Sequence, residues 1–255
     1  MRLDLYLVKK KLAHSRTQAQ DLIKSGSVFL QLPTEERTLK KSNYDVSEIF
    51  FDAIFVRENQ IQKYVSRGGL KLQAALIHLG FDVKNKTILD VGQSTGGFTD
   101  CLLLRGAKHV VGVDVGQGQL HPSLRLHPQV SFFETLHVNQ LQDSSEFLLT
   151  VPRNGFDLIV ADVSFISICK VMPYLHPFLK AQGHFLFLVK PQFELGPNAL
   201  DKNGLVKDEK NYSVVENEVM IQAKSIFSNT IEYFRSELNG KDGNQEFFIY
   251  GQNKN

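Results

Sequence analysis

The chain has 255 residues, of which 42% are hydrophobic and 22% charged, which is ordinary for one large globular domain or for one large and one small domain. The two cysteines form no motif and the apolar runs are far too short to span a membrane, so neither a disulfide scaffold nor a membrane protein is expected. With no secretory pattern at the N-terminus and a formal net charge of +2, we expect a soluble cytoplasmic protein.

The positive charge is concentrated near the N-terminus. Residues 1–30 hold six basic side chains against two acidic ones, whereas residues 67–255 hold 18 basic and 19 acidic side chains. A basic segment on a near-neutral body indicates a module that binds a polyanion and is attached to a second domain.

Residues 1–58 are predicted to form this small α+β module, and residues 59–66 a linker. Ser15 is expected to be the N-cap of a helix that Gly26 stops. The elements predicted from apolar spacing and turn residues are helices at residues 3–13 and 15–25, a strand starting at residue 28, a turn at residues 33–36, and strands near residues 44–46 and 54–56.

Several residues of this module match a known pattern, namely Arg2, Leu3, Asp4, Ser15, Arg16, Ala19, Leu22, Ile23, Gly26 and Val28. On these residues the segment resembles the S4 RNA-binding domain, whose second helix and its flanks dock on RNA. The usual strand ending in Val-Asn-Gly is replaced by FLQLP at residues 29–33. A basic helix pair that is merely solvated is the alternative interpretation. The resemblance implies phosphate contacts, and so a salt-sensitive affinity for RNA, from Arg2, Lys9, Lys10, Arg16 and Lys24.

Residues 67–255 are predicted to form a Rossmann-like α/β domain, with a mostly parallel sheet and helices on both faces. The reason is that strand-like apolar runs alternate with helical spacing along this part of the chain. The predicted elements are a helix carrying Leu72, Ala75, Leu76 and Leu79 that ends at Gly80, strands at residues 87–89, 109–113, 130–133, 156–161 and 183–189, a helix at residues 212–226, and strands at residues 231–234 and 246–250.

The most informative stretch is a glycine-rich turn, DVGQSTGGFTD, at residues 90–100. It follows a predicted strand and opens a helix, and the next strand ends in Asp114, 24 residues after Asp90. This arrangement is typical of a doubly wound domain that binds a nucleoside-bearing cofactor, with the carboxylate taking the ribose hydroxyls. Because the turn does not read G-x-G-x-x-G, S-adenosylmethionine fits better than a dinucleotide. An ordinary strand–turn–helix is the alternative.

Two charged residues directly follow predicted strands. Asp162 comes after residues 156–161, and Lys190 comes after residues 183–189. A charge in this position is unfavourable unless it is solvated or paired, so both side chains are expected to face a cleft at the carboxyl ends of the strands. They could reach each other if their strands are neighbours. A lysine there could take the proton of a ribose hydroxyl that attacks a methyl sulfonium, whereas a structural ion pair is the alternative.

Six motifs in order carry a closer resemblance. They are SRGGLKL at residues 66–72, DVGQSTGGFTD at residues 90–100, DVGQGQL at residues 114–120, DVSFIS at residues 162–167, VKPQFE at residues 189–194 and GNQEF at residues 243–247. On these motifs the chain is similar, nearly end to end, to the hemolysin A (TlyA) family, which joins an S4 domain to a methyltransferase domain similar to FtsJ. The resemblance implies 2′-O-methylation of cytidine ribose in ribosomal RNA, with S-adenosylmethionine as the donor.

The resemblance also implies the site residues. The Lys-Asp-Lys-Glu catalytic set of the family falls on Lys71, Asp162, Lys190 and Glu246, with Lys190 activating the hydroxyl. The implied partner is ribosomal RNA within ribosomal subunits, with no membrane and no obligate protein partner. No metal is expected, because His109, His121, His127 and His137 lack ligand spacing. The implied cofactor contacts are Asp90, Gly92, Ser94, Gly96, Gly97, Asp114 and Phe165.

Two positions depart from the family pattern. Gln93 stands where the family prefers a small residue. Glu134 is followed by His137 and Asn139, where the family has an asparagine and an arginine. The contacts to the adenine end of the cofactor are therefore not assigned.

Three other functions are weighed against this one. The family name suggests a membrane-damaging hemolysin, although the sequence shows no strongly amphipathic cationic helix. A non-catalytic RNA-binding ribosome factor with a vestigial fold would not need the intact Lys-Asp-Lys-Glu set. A methyltransferase or dehydrogenase for small molecules would leave the basic N-terminal module unexplained.

Overall fold

The computed structural model describes residues 1–13, 15–47, 49, 53–57, 63–227, 231–240 and 242–254. The chain divides into two compact units, Met1–Leu70 and Lys71–Asn255. Tyr64 belongs to the first unit. Its side chain is buried, and its backbone carbonyl accepts a hydrogen bond from Gln18 Nε2 at 3.3 Å. The sequence-based domain limits at residues 58 and 67 stay a prediction.

The first unit packs two helices against a small antiparallel sheet. Its strands, as far as the unit is described, lie in the order β2-β1-β3. Apolar side chains from both helices and from the inner face of β1 form its core, among them Leu7, Leu22 and Val28. The elements are α1 (Leu3–Lys9), α2 (Arg16–Lys24), β1 (Val28–Gln31), β2 (Glu36–Thr38) and β3 (Ile54–Val56).

Local predictions for this unit had mixed outcomes. The N-cap is confirmed, because Ser15 Oγ accepts from Gln18 N at 3.1 Å. The helix predicted to reach residue 13 ends at Lys9, and the backbone of Lys11 adopts a φ of 57° that a helix cannot contain. The prediction of a strand near residues 44–46 is wrong, since only an isolated bridge between Arg2 and Asp45 forms there.

One strand of this sheet was assigned in part to a turn. The polar stretch Glu36–Thr38 forms edge strand β2, in register with Phe29 to Gln31 of β1. An exposed edge strand needs no alternation of apolar residues, because neither of its faces has to be buried. The pattern that identifies half-buried strands therefore does not detect it.

The second unit is a three-layer α/β structure around a twisted sheet. Its described strands lie in the order β6-β5-β4-β7-β8-β10-β9, and neighbouring pairs from β6 to β8 are parallel. β10 runs antiparallel to both β8 and β9. This confirms the predicted, mostly parallel sheet. The elements are α3 (Gly68–His78, whose first three residues belong to the first unit), β4 (Thr87–Val91), α4 (Gly97–Leu104), β5 (His109–Val113), α5 (Pro122–Arg125), β6 (Val130–Phe133), α6 (Ser145–Leu148), β7 (Phe156–Ala161), α7 (Ile168–Leu175), β8 (Leu179–Val189), α8 (Pro191–Glu194), α9 (Lys210–Ile226), β9 (Ile231–Arg235) and β10 (Phe247–Gln252).

The central strands are buried on both faces, which explains their continuous apolar sequence. Side chains such as Val91, Ile159 and Phe187 have almost no exposed surface and pack under α7 and α9 through residues such as Met172 and Val219. This packing holds the strand ends, and the loops that follow them, in fixed relative positions.

The strand order creates a crevice at the carboxyl edge of the sheet. The chain proceeds outward from β4 to β5 and β6, then returns to the other side of β4 as β7 and β8. Ligands of open α/β sheets bind at such a switch point. β10 is antiparallel and pairs its first residue, Phe247, with the last residue of β8, Val189, so the start of β10 lies at the same edge. In the described part of the chain, none of the helices combines the length and the apolar character that crossing a membrane requires.

Candidate active site

Four ionisable side chains meet at the carboxyl edge of the sheet. Asp162 directly follows β7 and Lys190 directly follows β8, and because these strands are parallel neighbours the two side chains reach one another. Lys190 Nζ lies 2.6 Å from Asp162 Oδ1 in an ion pair, and it donates to Ser164 Oγ at 2.8 Å. The lysine nitrogen is therefore held from two sides.

A second ion pair lies deeper. Lys71, in α3, pairs with Glu246, which precedes β10, and their side chains are only 10% and 3% exposed. Burial raises the pKa of Glu246, although Lys71 opposes that effect. Asp162 also raises the pKa of Glu246 and Lys190 lowers it, which indicates that both ion pairs belong to one cluster. All four residues of the predicted catalytic set are thus brought together.

The glycine turn lies between β4 and α4, beside this cluster. Gly92 and Gly96 have φ values of 80° and 94°, which favour glycine. A Cβ atom on Gly92 would lie 2.5 Å from the carbonyl oxygen of Asp162, so the turn approaches the loop after β7 closely. Ser94 N donates to Asp114 Oδ2 at 2.7 Å, which fastens the turn to the end of β5. Gly97 is the first residue of α4.

Asp90, near the end of β4, is fully buried under this turn. Thr99 Oγ1 donates to its Oδ2 at 2.6 Å, whereas Oδ1 has no hydrogen-bond partner among the described residues. Burial raises the pKa of Asp90 to about 7, despite the hydrogen bond from Thr99. Gln93 Nε2 donates to the same Thr99 hydroxyl at 2.8 Å, so the three side chains form a chain of hydrogen bonds.

Gln93, the departure from the family pattern, is accommodated by a glycine on the neighbouring strand. Its side chain is buried and occupies the space in which a Cβ atom on Gly112 would lie, 2.0 Å from Gln93 Cδ. Gly112 in the middle of β5 was visible in the sequence and is the signal that could have located this side chain. Gln93 thus supports the turn from beneath.

The loop after β7 is anchored to the helix that follows Lys190. Glu194, in α8, accepts from Ser167 Oγ at 2.5 Å and from Ile168 N at 2.8 Å. Phe165 has a φ of 63° and is 91% exposed, and its ring lies 5.2 Å from that of Phe193. Phe165 therefore lies on the Lys190 side of the site. Neither Ser164 nor Glu194 was singled out from the sequence, because no local pattern predicts their long-range partners.

The loop after β5 is organised by Glu134, at the end of β6. Glu134 forms an ion pair with Arg125, and the nearby backbone N–H groups of Gly118, Gln119 and Leu120, together with the Arg125 charge, lower the pKa of Glu134. His137 and Asn139 lie at the start of a 3₁₀ helix, Val138–Gln140, and both are exposed. No group of three His, Cys, Asp or Glu side chains in the described residues is arranged to hold a metal ion.

The basic residues of the first unit do not form a single cluster. Arg2 and Arg16 both bind the carboxylate of Asp4. Lys9 and Lys24 are exposed in the last turns of α1 and α2, and Lys10 Nζ lies 5.9 Å from the centre of a tyrosine ring. The two arginines are thus brought together, and the three lysines lie toward the opposite helix ends.

Comparison with known proteins agrees with this geometry. The family model for the FtsJ-like methyltransferases matches residues 64–253, and the model for the S4 domain matches residues 1–31. The hemolysin A of Brachyspira hyodysenteriae is 34% identical over 98% of this chain and 99% of its own length. The 16S/23S rRNA (cytidine-2′-O)-methyltransferase TlyA of Mycobacterium tuberculosis is 36% identical over 98% of this chain and 88% of its own length. A solved structure named "Putative hemolysin from Streptococcus thermophilus" superposes with a TM-score of 0.72 at 30% identity, over 100% of this chain and 89% of that one.

Proposed function

Because the chain belongs to the hemolysin A (TlyA) family of FtsJ-like methyltransferases, we propose that it methylates the ribose 2′-hydroxyl of cytidine in ribosomal RNA, with S-adenosylmethionine as the methyl donor. The observation that carries the proposal is the cluster of Lys71, Asp162, Lys190 and Glu246 beside the glycine turn. The Mycobacterium tuberculosis relative bears this activity in its name.

The glycine turn and its carboxylates suit the cofactor. Gly92 and Gly96 let the turn pack closely against the backbone of Asp162 and the side chain of Leu124, and the partly exposed Asp114 keeps acceptor capacity for ribose hydroxyls. Asp90, whose Oδ1 lacks a hydrogen-bond partner among the described residues, is buried beneath the turn, from where its carboxylate is proposed to attract the cationic end of the cofactor. When bound, S-adenosylmethionine supplies an electrophilic methyl group on a sulfonium, which the ribose oxygen attacks. Ser94 and Gly97 complete the proposed backbone contacts.

Lys190 is the residue proposed to act on the ribose hydroxyl. In its neutral form it receives the hydroxyl proton as the oxygen attacks, and Asp162 and Ser164 hold its nitrogen in position. The carboxylate of Asp162 also favours the positive charge carried by the methyl group during transfer. Phe165, exposed beside this pair, offers a surface for a cofactor or nucleobase ring.

The first unit is proposed to supply affinity for RNA. Its S4 domain match includes both helices, and the basic residues that lie in them or directly beside them are Arg2, Lys9, Lys10, Arg16 and Lys24. Contacts of such side chains with phosphates hold RNA without reading its sequence. We propose ribosomal RNA within a ribosomal subunit as the substrate, on the strength of the named activity of the relative, and the cytoplasm as the proposed location.

The test is to replace Lys190 and to measure methyl transfer to purified ribosomal subunits that lack the modification. Lys190→Ala should abolish transfer while cofactor binding, measured by calorimetry, persists. Lys180→Ala is the matched control, because Lys180 forms an ion pair with Asp157 between the same two strands at their opposite ends. Full activity of Lys190→Ala would refute the assigned role, and so would equal losses in both variants.

A membrane-damaging activity is the second candidate, and the name of the Brachyspira relative favours it. The discriminating measurement is the release of a dye from liposomes by the pure protein. Release that persists in Lys190→Ala would support this candidate, whereas methyl transfer without release would exclude it. A cofactor affinity too weak to measure would instead favour a non-catalytic ribosome factor.

A further inference from the structure

A buried carboxylate lies at the start of the first unit. Asp4, in the first turn of α1, has no exposed side-chain surface. Its Oδ1 accepts from Arg2 Nε at 3.1 Å and from Leu5 N at 3.0 Å. Its Oδ2 accepts from Arg2 Nη2 at 3.1 Å, from Arg16 Nε at 2.9 Å and from Gln20 Nε2 at 3.1 Å. One carboxylate therefore joins three polar side chains, one from the residue before α1 and two from α2.

The two arginines that it holds remain accessible. Their side chains are 45% and 53% exposed, although both are bonded to the buried Asp4. Arg16 and Gln20 lie one turn apart on α2, so they face the same way. Within the described residues, the only hydrogen bond found to the Arg16 guanidinium uses Nε, which leaves its two terminal nitrogens for a ligand.

The electrostatic balance favours a fixed arrangement. Burial by itself would raise the pKa of Asp4, but hydrogen bonds from Arg2, Arg16 and Gln20 together hold that pKa well below its ordinary value. The group is therefore ionised throughout the neutral range. One negative charge against two guanidinium charges leaves a net charge of +1, carried by forks that match a phosphate.

We propose that Asp4 is a positioning residue, which holds Arg2 and Arg16 as a preformed clamp for one phosphate of the RNA backbone, with the Gln20 amide beside them. This inference rests on the proposed function, since it assumes that the first unit binds ribosomal RNA. Long side chains lose rotamer freedom on binding, and a clamp that is already ordered avoids much of that loss.

Net charge and positioning predict opposite changes in RNA affinity when the Asp4 carboxylate is removed, and the test uses this difference. Removing a carboxylate from a basic surface should tighten RNA binding if only the net charge matters. If Asp4 positions the arginines, Asp4→Asn should instead weaken binding of the full-length protein to unmodified ribosomal subunits about tenfold. The matched control is Asp45→Asn, which removes the same charge from an exposed side chain of the same unit that pairs with the N-terminal amine.

A double-mutant cycle separates positioning from a general structural role. In a background that carries Arg2→Ala and Arg16→Ala, Asp4→Asn should cause no further loss of affinity, whereas a structural role would still cost binding. Near-UV circular dichroism and cofactor affinity report whether each variant is folded. If Asp4→Asn reduces the folded fraction, the test is made with Arg16→Lys instead. This variant keeps the positive charge but loses the contact of Arg16 Nε with Asp4, so it should also weaken RNA binding.

The outcomes separate this inference from the proposed function. If the unaltered protein binds and methylates subunits but Asp4→Asn binds as tightly as Asp45→Asn, only the positioning role is wrong. If the unaltered protein does not bind subunits at all, the proposed function fails and the clamp fails with it. Weaker binding by Asp4→Asn, with unchanged binding by Asp45→Asn and coupling to the arginines, supports the clamp.

Discussion

Replacing Gly92 by alanine should move the glycine turn away from the loop that follows β7. The added Cβ atom would lie 2.5 Å from the carbonyl oxygen of Asp162 and 2.9 Å from its carbonyl carbon, both of which are backbone atoms that cannot rotate away. Since such contacts stay above 3.0 Å, either the turn or the backbone of Asp162 must move by at least about 0.5 Å. Asp162 also holds Lys190 at 2.6 Å, so the movement reaches the proposed proton acceptor.

The loss of folding stability follows from two separable contributions, and the loss of rate follows from the displacement. Alanine at a φ of 80° costs about 1–2 kcal/mol of folding stability because of backbone strain alone. The clash adds about 1–3 kcal/mol, as overpacking usually does. A displacement approaching 1 Å at a reacting group reduces the rate about 100-fold. We therefore expect Gly92→Ala to fold, to lose about 100-fold in kcat, and to bind S-adenosylmethionine more weakly.

The assay compares this variant with Gly80→Ala. Gly80 also has a positive φ, 57°, but a Cβ atom there would meet nothing within 4 Å. Both variants therefore carry similar backbone strain, and only Gly92→Ala carries the clash. Thermal unfolding, calorimetric cofactor binding and methyl transfer to ribosomal subunits are measured for each. If the two variants retain kcat values within about threefold of each other, displacement of Asp162 is not the cause and the reasoning fails.

Two further predictions concern the buried charges. Lys71→Met should lower the free energy of unfolding, measured in urea, by about 3–5 kcal/mol, because it leaves Glu246 buried without its partner. The double variant that also carries Glu246→Leu should recover most of that stability but should not recover methyl transfer. If the double variant does not recover stability, the two residues do not form a simple ion pair. Because the pKa of Asp90 is about 7 in the folded protein and near 3.8 when unfolded, the unfolded chain releases this proton first, so Asp90 makes stability fall as pH rises from about 4 to about 7. Asp90→Asn should remove that decline from unfolding curves measured at pH 5 and pH 8, and an unchanged slope would exclude Asp90 as its source.

The outer part of the site was predictable because it depends on strand ends. Asp162 and Lys190 each follow an apolar run, and parallel neighbouring strands bring such residues together without further information. Asp90 and Asp114 follow from the same rule on β4 and β5. The parallel direction of the strands from β4 to β8 likewise follows from the alternation of strands and helices, since parallel strands need crossover connections.

The inner part was not predictable from local pattern. Lys71 and Glu246 are 175 positions apart and were assigned only through the family resemblance. Ser164 and Glu194 make contacts that no periodicity reports, because their partners come from other elements of the fold. Asp4 was noticed only as part of a motif, and nothing in its spacing from Arg16 revealed a shared hydrogen-bond network. Such contacts exist only once the helices have packed.

The depth of the two ion pairs indicates different roles for the outer and the inner pair of the proposed catalytic set. The Asp162 side chain is 24% exposed, whereas Glu246 is 3% exposed and its pKa is raised by burial. A substrate hydroxyl can therefore approach the outer pair, Asp162 and Lys190, more readily than the inner pair. The inner pair balances charge beneath it, so that a lysine and a carboxylate can stand close together at the surface of an apolar sheet. Loss of the outer pair should then act mainly on the rate of transfer, and loss of the inner pair on the stability of the edge that presents it.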